Sequence, residues 1–221
     1  MKQLKEYDNL NHIYEHGIRK FKVCFWIFLV LTVAAFGTFL IDGFPFEFSM
    51  LLLFMIFPAL MFGVIWLVMS LRTKKQLKPF SPGQLKMIDE ESRLAPEFDG
   101  FQVTSQAVLH QRMGLEMVPM KTLLWVYTDV TVTKLEGMVP IHKDTVVIFA
   151  GTDKKKYGFR IKNNQRAMPF LVSELLKYRL DLVFGNEYGL EDIYKRDMNR
   201  MIRFAQECAE KRKKEMEENE F

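Results

Sequence analysis

Charge disappears from the chain twice near its start. Between Val23 and Ile41 no residue carries a charge, and at 1.5 Å per residue a helix of that length measures about 28 Å, close to the bilayer hydrocarbon thickness of about 30 Å. Phe48 to Leu71 is uncharged as well. A core helix of a soluble protein keeps a polar stripe, and neither run has one. The pattern predicts two spanning helices, at residues 23–41 and 49–71, joined by a short external loop at 42–48. Pro58 falls inside the second and predicts a kink, which spanning helices tolerate because neighbouring groups satisfy the released carbonyl. Ala59 with Gly63, and Ala34 with Thr38, are pairs of small residues at the spacing that lets two helices approach closely.

Beyond the second run the pattern changes twice. Residues 72–100 read as a basic juxtamembrane segment and a linker helix: Ser81 is a helix cap, Pro82 fits the first helical position, and Pro96 and Gly100 close the segment. A surface helix is expected over 82–94, with Leu85, Met87 and Ile88 on an apolar side and Asp89, Glu90 and Glu91 as a solvated acidic run. Then the period moves toward two. "GFQVTSQAVLHQ", "LEMVPM", "KTLLWVYTDVTVT", "DTVVIFAGT" and "KKYGFRIK" predict short strands between Gly, Asp and Lys turns, in a strongly bent antiparallel sheet. The long third stretch is expected to bend across a barrel corner. From Asn164 to Leu180, the positions of Ala167, Met168, Leu171, Val172, Leu175 and Leu176 predict an amphipathic helix that covers the sheet. The tail at 187–221 repeats apolar residues at helical spacing, including Ile193, Tyr194, Met201 and Ala205, and ends in "EKRKKEMEENE". That stripe is expected to dock on the chain's own domain, homo-oligomerisation through it being the alternative.

The charges give the helices a direction. Arg19, Lys20 and Lys22 end the segment 1–22, Arg72, Lys74, Lys75 and Lys78 follow the second span, and the loop between has acidic charge only, so both ends are expected in the cytoplasm. Trp26 and Trp66 lie about one turn inside those ends, where indoles prefer the membrane interface. These nine residues form the expected interface set. Overall the 221 residues carry 31 Lys and Arg against 27 Asp and Glu, a formal +4. The two signs are interspersed, which argues against a nucleic-acid partner.

Chemistry is sparse. Two cysteines without a CxxC imply neither a disulfide framework nor a zinc site. His12 and His16 share a helix face, but the residue after His12 is not the Glu that the HExxH metalloprotease pattern places between its two histidines, and no third ligand is near. His110 and His142 read as structural. No GxSxG, Walker-type loop or dinucleotide fingerprint occurs, so no catalytic residue, cofactor or metal is expected and the chain is read as a non-enzyme. Lys154, Lys155 and Lys156 cluster at a hairpin tip, either a solvated turn or a binding tip for anionic lipid.

Strands closed by one C-terminal amphipathic helix resemble the pleckstrin-homology-like (PH-like) barrel. More specifically, "WVY" followed by "TVVIFAGTDKKKYGF", then the helix and "VFG", is similar to uncharacterised bacterial membrane proteins with two helices and a PH-like domain. The resemblance covers roughly residues 20 to 197. It implies a membrane α-helical hairpin plus an α+β part, a PH-like antiparallel barrel or sheet capped by a C-terminal helix at 101–186, in the bacterial inner membrane. Phosphoinositide-binding PH domains place several cations in the first hairpin, where this chain has only Arg112.

The expected function is a membrane-anchored interaction module, integral in the bilayer through two spans and presenting its domain to an unidentified membrane or cytoplasmic protein, or to lipid. The alternative is an accessory or regulatory subunit of a membrane transporter or complex, acting through the helices.

Overall fold

The computed structural model describes residues 2–42, 46–111, 114–134, 140–162, 164–187 and 189–219, except the side chains at 2–3, 38–55, 131–143, 164 and 219. A 3₁₀ turn at Lys2–Glu6 precedes helices α1 (Asp8–Asp42), α2 (Phe46–Leu77) and α3 (Pro82–Leu94). Strands β1 (Glu97–Phe98), β2 (Phe101–Val103), β3 (Ala107–Gln111), β4 (Leu115–Pro119), β5 (Leu123–Lys134), β6 (Pro140–Gly151) and β7 (Lys156–Ile161) follow. Helix α4 (Asn164–Leu176), strand β8 (Val183–Phe184) and helices α5 (Leu190–Arg196) and α6 (Met198–Asn219) complete the chain. It divides into two compact units: Met1–Ser81 with Gln111–Glu116, and Pro82–His110 with Met117–Phe221.

The first unit is built on α1 and α2. Their partners run in opposite directions, with Phe25 against Trp66 at 5.9 Å between ring centroids and Phe28 stacked on Phe62 at 5.9 Å. Gly63 makes room for this ladder, because a Cβ there would stand 3.0 Å from the Phe25 ring. Helix α2 runs unbroken across Pro58. Apolar side chains face outward along both rods: Val23, Trp26, Ile27, Val30, Val33 and Phe36 on α1, and Phe57, Leu60, Val64, Leu67, Val68 and Leu71 on α2, between 48% and 70% exposed. Two helices are thus long and apolar enough to cross a membrane.

Helix α1 begins well before Val23, so the charged stretch ahead of the apolar run is the same rod continued. Leu10, Tyr14 and Ile18 are fully buried and Ile13 nearly so, one face at i, i+3, i+4, i+8. The Tyr14 hydroxyl pairs with Ser70 Oγ at 2.7 Å, and Ser70 also donates to the Trp66 carbonyl at 2.8 Å. Thr73 Oγ1 donates to the Leu115 carbonyl at 3.3 Å. These bonds satisfy polar groups that burial would otherwise penalise by about 1–3 kcal/mol each.

The second unit holds two four-stranded sheets, ordered β1-β2-β3-β4 and β7-β6-β5-β8, an α+β arrangement rather than one closed barrel. Phe101, Val103 and Val108 of the first sheet, Val126, Val147, Phe149 and Phe159 of the second, and Ala167, Leu171 and Leu175 of α4 share one core. The opposite face of the second sheet is also covered: Leu124, Trp125, Tyr127 and Ala150 pack with Leu190, Tyr194, Met201 and Ala205 of α5 and α6. The first part of β5, from Leu123 to Tyr127, is therefore buried on both faces. That is why "LLWVY" shows no alternation, since a strand with two dry faces reads as a continuous apolar run. Strand β8 joins it in parallel, with Trp125 opposite Val183 and Val126 opposite Phe184, where an antiparallel sheet is expected throughout.

Two local expectations are corrected. The acidic run on α3 is not a solvated face: Asp89 is only 5% exposed and pairs with Arg93 at 2.9 Å, and Glu91 accepts from the Ser105 amide and hydroxyl, both at 2.6 Å. Consecutive helical residues point about 100° apart, so only Glu90 stays on the outer side. Helix α4 stops at Leu176 rather than Leu180, because Arg179 is drawn away to donate to the carbonyls of Met120 and Leu123, each at 2.7 Å.

Candidate functional site

Alternation along β5 puts Trp125 and Tyr127 on one face, with their rings stacked at 4.0 Å and 23°. The indole is fixed at its edge, where Nε1 donates to the Gly185 carbonyl at 2.7 Å. Gly185 has a φ of +91°, a backbone setting that glycine adopts without the Cβ penalty, and its own amide bonds back to the Val126 carbonyl at 3.0 Å. Tyr194 of α5 leans on Trp125 at 5.7 Å, and its hydroxyl donates to the Gly151 carbonyl at 2.8 Å. Glu191 lies one turn earlier on α5 and pairs with Lys195 at 2.9 Å.

Into this ring of aromatics comes Lys156, the first residue of β7. Its Nζ lies 5.8 Å from the Trp125 ring, 5.6 Å from Tyr127 and 5.4 Å from Tyr194. It donates to the Tyr127 hydroxyl at 3.1 Å and faces a Glu191 oxygen at 3.5 Å. The stacked Trp125 and Tyr127 rings present their edges to this nitrogen, so the hydrogen bond to the Tyr127 hydroxyl and the Glu191 charge are what hold it. Burial works to lower the Lys156 pKa, yet the Tyr127 hydroxyl and the Glu191 charge outweigh it and the pKa stands above the ordinary lysine value. Burial pushes the Tyr194 phenol up to about 12, with the Asp153 charge adding to the effect.

The three lysines of the hairpin thus have different fates. Lys154 takes a φ of +61° at the exposed tip. Lys155 folds onto Asp153, Nζ to carboxylate at 2.7 Å, which raises its pKa. Lys156 is exposed as well, with its nitrogen directed toward the Tyr127 hydroxyl and Glu191.

The interface residues divide too. Arg19, Lys20, Lys74, Lys75 and Lys78 are exposed. Lys22 is committed to Glu15 at 2.5 Å and lies 5.7 Å from the Trp66 ring, and Arg72 pairs with Glu116 at 2.8 Å. Trp26 is 56% exposed. His12 and His16 stack at 6.4 Å, and Gln111 Nε2 reaches His16 Nδ1 at 3.0 Å. Among the described residues no group of three His, Cys, Asp or Glu is placed to hold a metal. His110 is buried between the rings of Phe101 and Phe159. Arg112 and the His142 side chain lie outside the described residues.

An open groove of about 410 Å³ runs between α4 and α6, lined by Leu176, Leu180 and Met216 with Lys177, Arg212 and Glu215. Arg212 is engaged there, donating to the Leu182 carbonyl at 2.7 Å and lying over the Phe184 ring. Ser173 lines the groove as well, its hydroxyl donating to the Phe170 carbonyl at 2.9 Å. Sequence reasoning missed the aromatic ring. Its legible half is the W-x-Y spacing on β5, while Tyr194 and Glu191 come from a distant helix that carries no local sign of it.

Compared with models of protein families, with curated proteins and with solved structures, the chain matches none, so what the site does follows from its own chemistry.

Proposed function

We propose that the chain is an integral membrane protein whose two helices cross the bilayer and hold a non-enzymatic interaction domain at the cytoplasmic face. The observation that carries this reading is the outward apolar surface of α1 and α2. Val30 is 62% exposed, Val33 64%, Leu60 62% and Phe57 70%, with aromatic side chains packed between the rods. Hydrocarbon is the solvent that makes such a surface favourable, at about 0.3–0.6 kcal/mol per Leu, Ile, Phe or Val near a helix centre. Cations at both inner ends support a hairpin with its termini on one side, in a bacterial inner membrane.

Two sheets sharing their core with α4 support a PH-like reading of the domain. The parallel strand β8 and the covering helices α5 and α6 are additions to that pattern. The domain is taken to bind a protein, held near its partners by the anchor.

The alternative, an accessory subunit acting through the helices, has less to stand on. Thr32 donates to the Phe28 carbonyl of its own helix and Ser70 to Trp66, so these hydroxyls are spent within the pair. Photo-crosslinkers in the full-length protein separate the readings. A protein adduct from Lys154 with lipid alone from Val30 supports the interaction domain, and protein adducts from Val30 alone support the subunit.

A further inference from the structure

The cations at the inner ends of α1 and α2 are not alike. Lys22 is spent on Glu15 and Arg72 on Glu116. Arg19, Lys20, Lys74, Lys75 and Lys78 are exposed, and none has an ion-pair or side-chain hydrogen-bond partner among the described residues. On α2 the difference is one of direction. A helix turns about 100° per residue, so Lys74 and Lys75 flank, within about 60°, the outward line of Leu60, Val64, Leu67 and Leu71, whereas Arg72 stands about 100° round from it. Burial agrees, since Thr73 and Leu77 face inward at 3% and 5% exposure. On α1, Arg19 continues the outward line of Val23, Trp26 and Val30 at i, i+4, i+7 and i+11, and Lys20 stands beside it. Arg19 and Lys20 precede Val23, and Lys74 and Lys75 follow Leu71, by about 5–6 Å along the axis. With the helices spanning, that depth is the headgroup layer, about 5–8 Å thick on each side of the hydrocarbon.

We propose that, with α1 and α2 spanning the bilayer as proposed above, Arg19, Lys20, Lys74 and Lys75 form a collar that binds anionic phospholipid headgroups of the phosphatidylglycerol type and enriches them around the hairpin over zwitterionic lipid. The recognition chemistry is charge-assisted hydrogen bonding to phosphate oxygens, added to the attraction of each cation to an anionic surface. Orienting the helices needs cations at one end, wherever they point. Headgroup binding needs them unpaired, aimed at lipid and at phosphate depth, and these four meet all three conditions.

The test reads lipid composition at Trp26, which is 56% exposed and lies about 10 Å along α1 from Arg19 on the hydrocarbon side. The full chain is reconstituted in equal mixtures of phosphatidylglycerol and phosphatidylcholine, with bromine on the acyl chains of one lipid and then of the other. Bromine quenches tryptophan on contact, and Trp125, buried in the second unit, adds a constant background. Quenching is expected to show about three-fold or greater enrichment of phosphatidylglycerol in dilute buffer, falling toward parity in about 0.5 M salt. Arg19→Gln, Lys20→Gln, Lys74→Gln and Lys75→Gln combined should give parity in dilute buffer, and Lys154→Gln, which removes a cation of the β6–β7 turn, should leave the enrichment unchanged. Equal quenching by the two lipids around the unsubstituted protein overturns the proposal, as does enrichment that survives in a natively folded four-fold variant or is lost with Lys154→Gln alone. Should the four-fold variant not fold, salt decides: enrichment undiminished in about 0.5 M salt overturns the collar. The membrane reading fails differently, because helices outside the bilayer leave the fluorescence unquenched by either lipid.

Discussion

Gly17 on α1 and Gly114 in the β3–β4 loop pass backbone to backbone, so close that a Cβ on Gly17 would lie 2.5 Å from the Gly114 nitrogen and 2.8 Å from its Cα. Gly114 itself has a φ of +127°, and a Cβ there would lie within 4 Å of Thr73 and Ile18. Both partners are main chain, so neither side chain rotation nor repacking relieves a clash there.

Gly17→Ala is accordingly expected to destabilise the protein, against the usual direction for a helix. Glycine in a helix interior costs about 0.5–1 kcal/mol relative to alanine, but overpacking costs about 1–3 kcal/mol and wins. Gly83 on α3 is the control, because a Cβ there meets nothing within 4 Å. Thermal melts in detergent should rank Gly83→Ala at or above the unsubstituted protein and Gly17→Ala below it. Equal melting temperatures for the two variants would deny the close approach.

Arg179 ties the end of α4 to the turn before β5. Its guanidinium reaches the carbonyls of Met120 and Leu123 and is held by Asp181, whose pKa is lowered chiefly by that hydrogen bond. Hydrogen bonds to charged groups contribute about 1.5–3 kcal/mol, so Arg179→Met should lower stability by about 2 kcal/mol in chemical denaturation. Arg179→Lys should recover only part, since one ammonium cannot span the fork that serves a carboxylate and two carbonyls. Full recovery by lysine would show that charge alone matters.

The buried phenol of Tyr194 sets an alkaline limit. Its pKa is about 12 in the folded chain against 10.0 for the free side chain. Between those values the unfolded state has lost the proton and the folded state keeps it, so stability present below pH 10 declines as pH rises toward 12. Tyr194→Phe removes that dependence at the cost of the bond to Gly151. Stability measured from pH 9 to 11.5 should fall less steeply in the variant, and identical slopes would place the ionisation elsewhere.

Some of this was legible in the residues and some was not, for physical reasons. Ser81 and Pro82 announce α3 because capping is local chemistry, and α3 does run from Pro82 to Leu94. The apolar runs announce α2 and the outer part of α1. The inner extension of α1 was harder, since Leu10, Ile13, Tyr14 and Ile18 are interleaved with charges and read as a helix face only by their spacing. In β5 the missing alternation signals two buried faces, but the second cover lies more than sixty positions on, in α5 and α6, and no local pattern points to it. The aromatic site shares that difficulty. Its members at 125, 127, 156, 191 and 194 are joined only by tertiary packing, so Lys156 looked like one more cation in a turn.

The central claim, that two helices cross the membrane with both inner ends on one side, is tested most directly by single cysteines in a protein lacking Cys24 and Cys208. Cysteine replaces Lys20, Asp42 or Lys78 in turn, and intact cells are treated with a membrane-impermeant maleimide. Labelling at position 42 alone, with positions 20 and 78 reacting only after permeabilisation, is the expected result. Labelling of position 20 or 78 from outside intact cells would contradict the account.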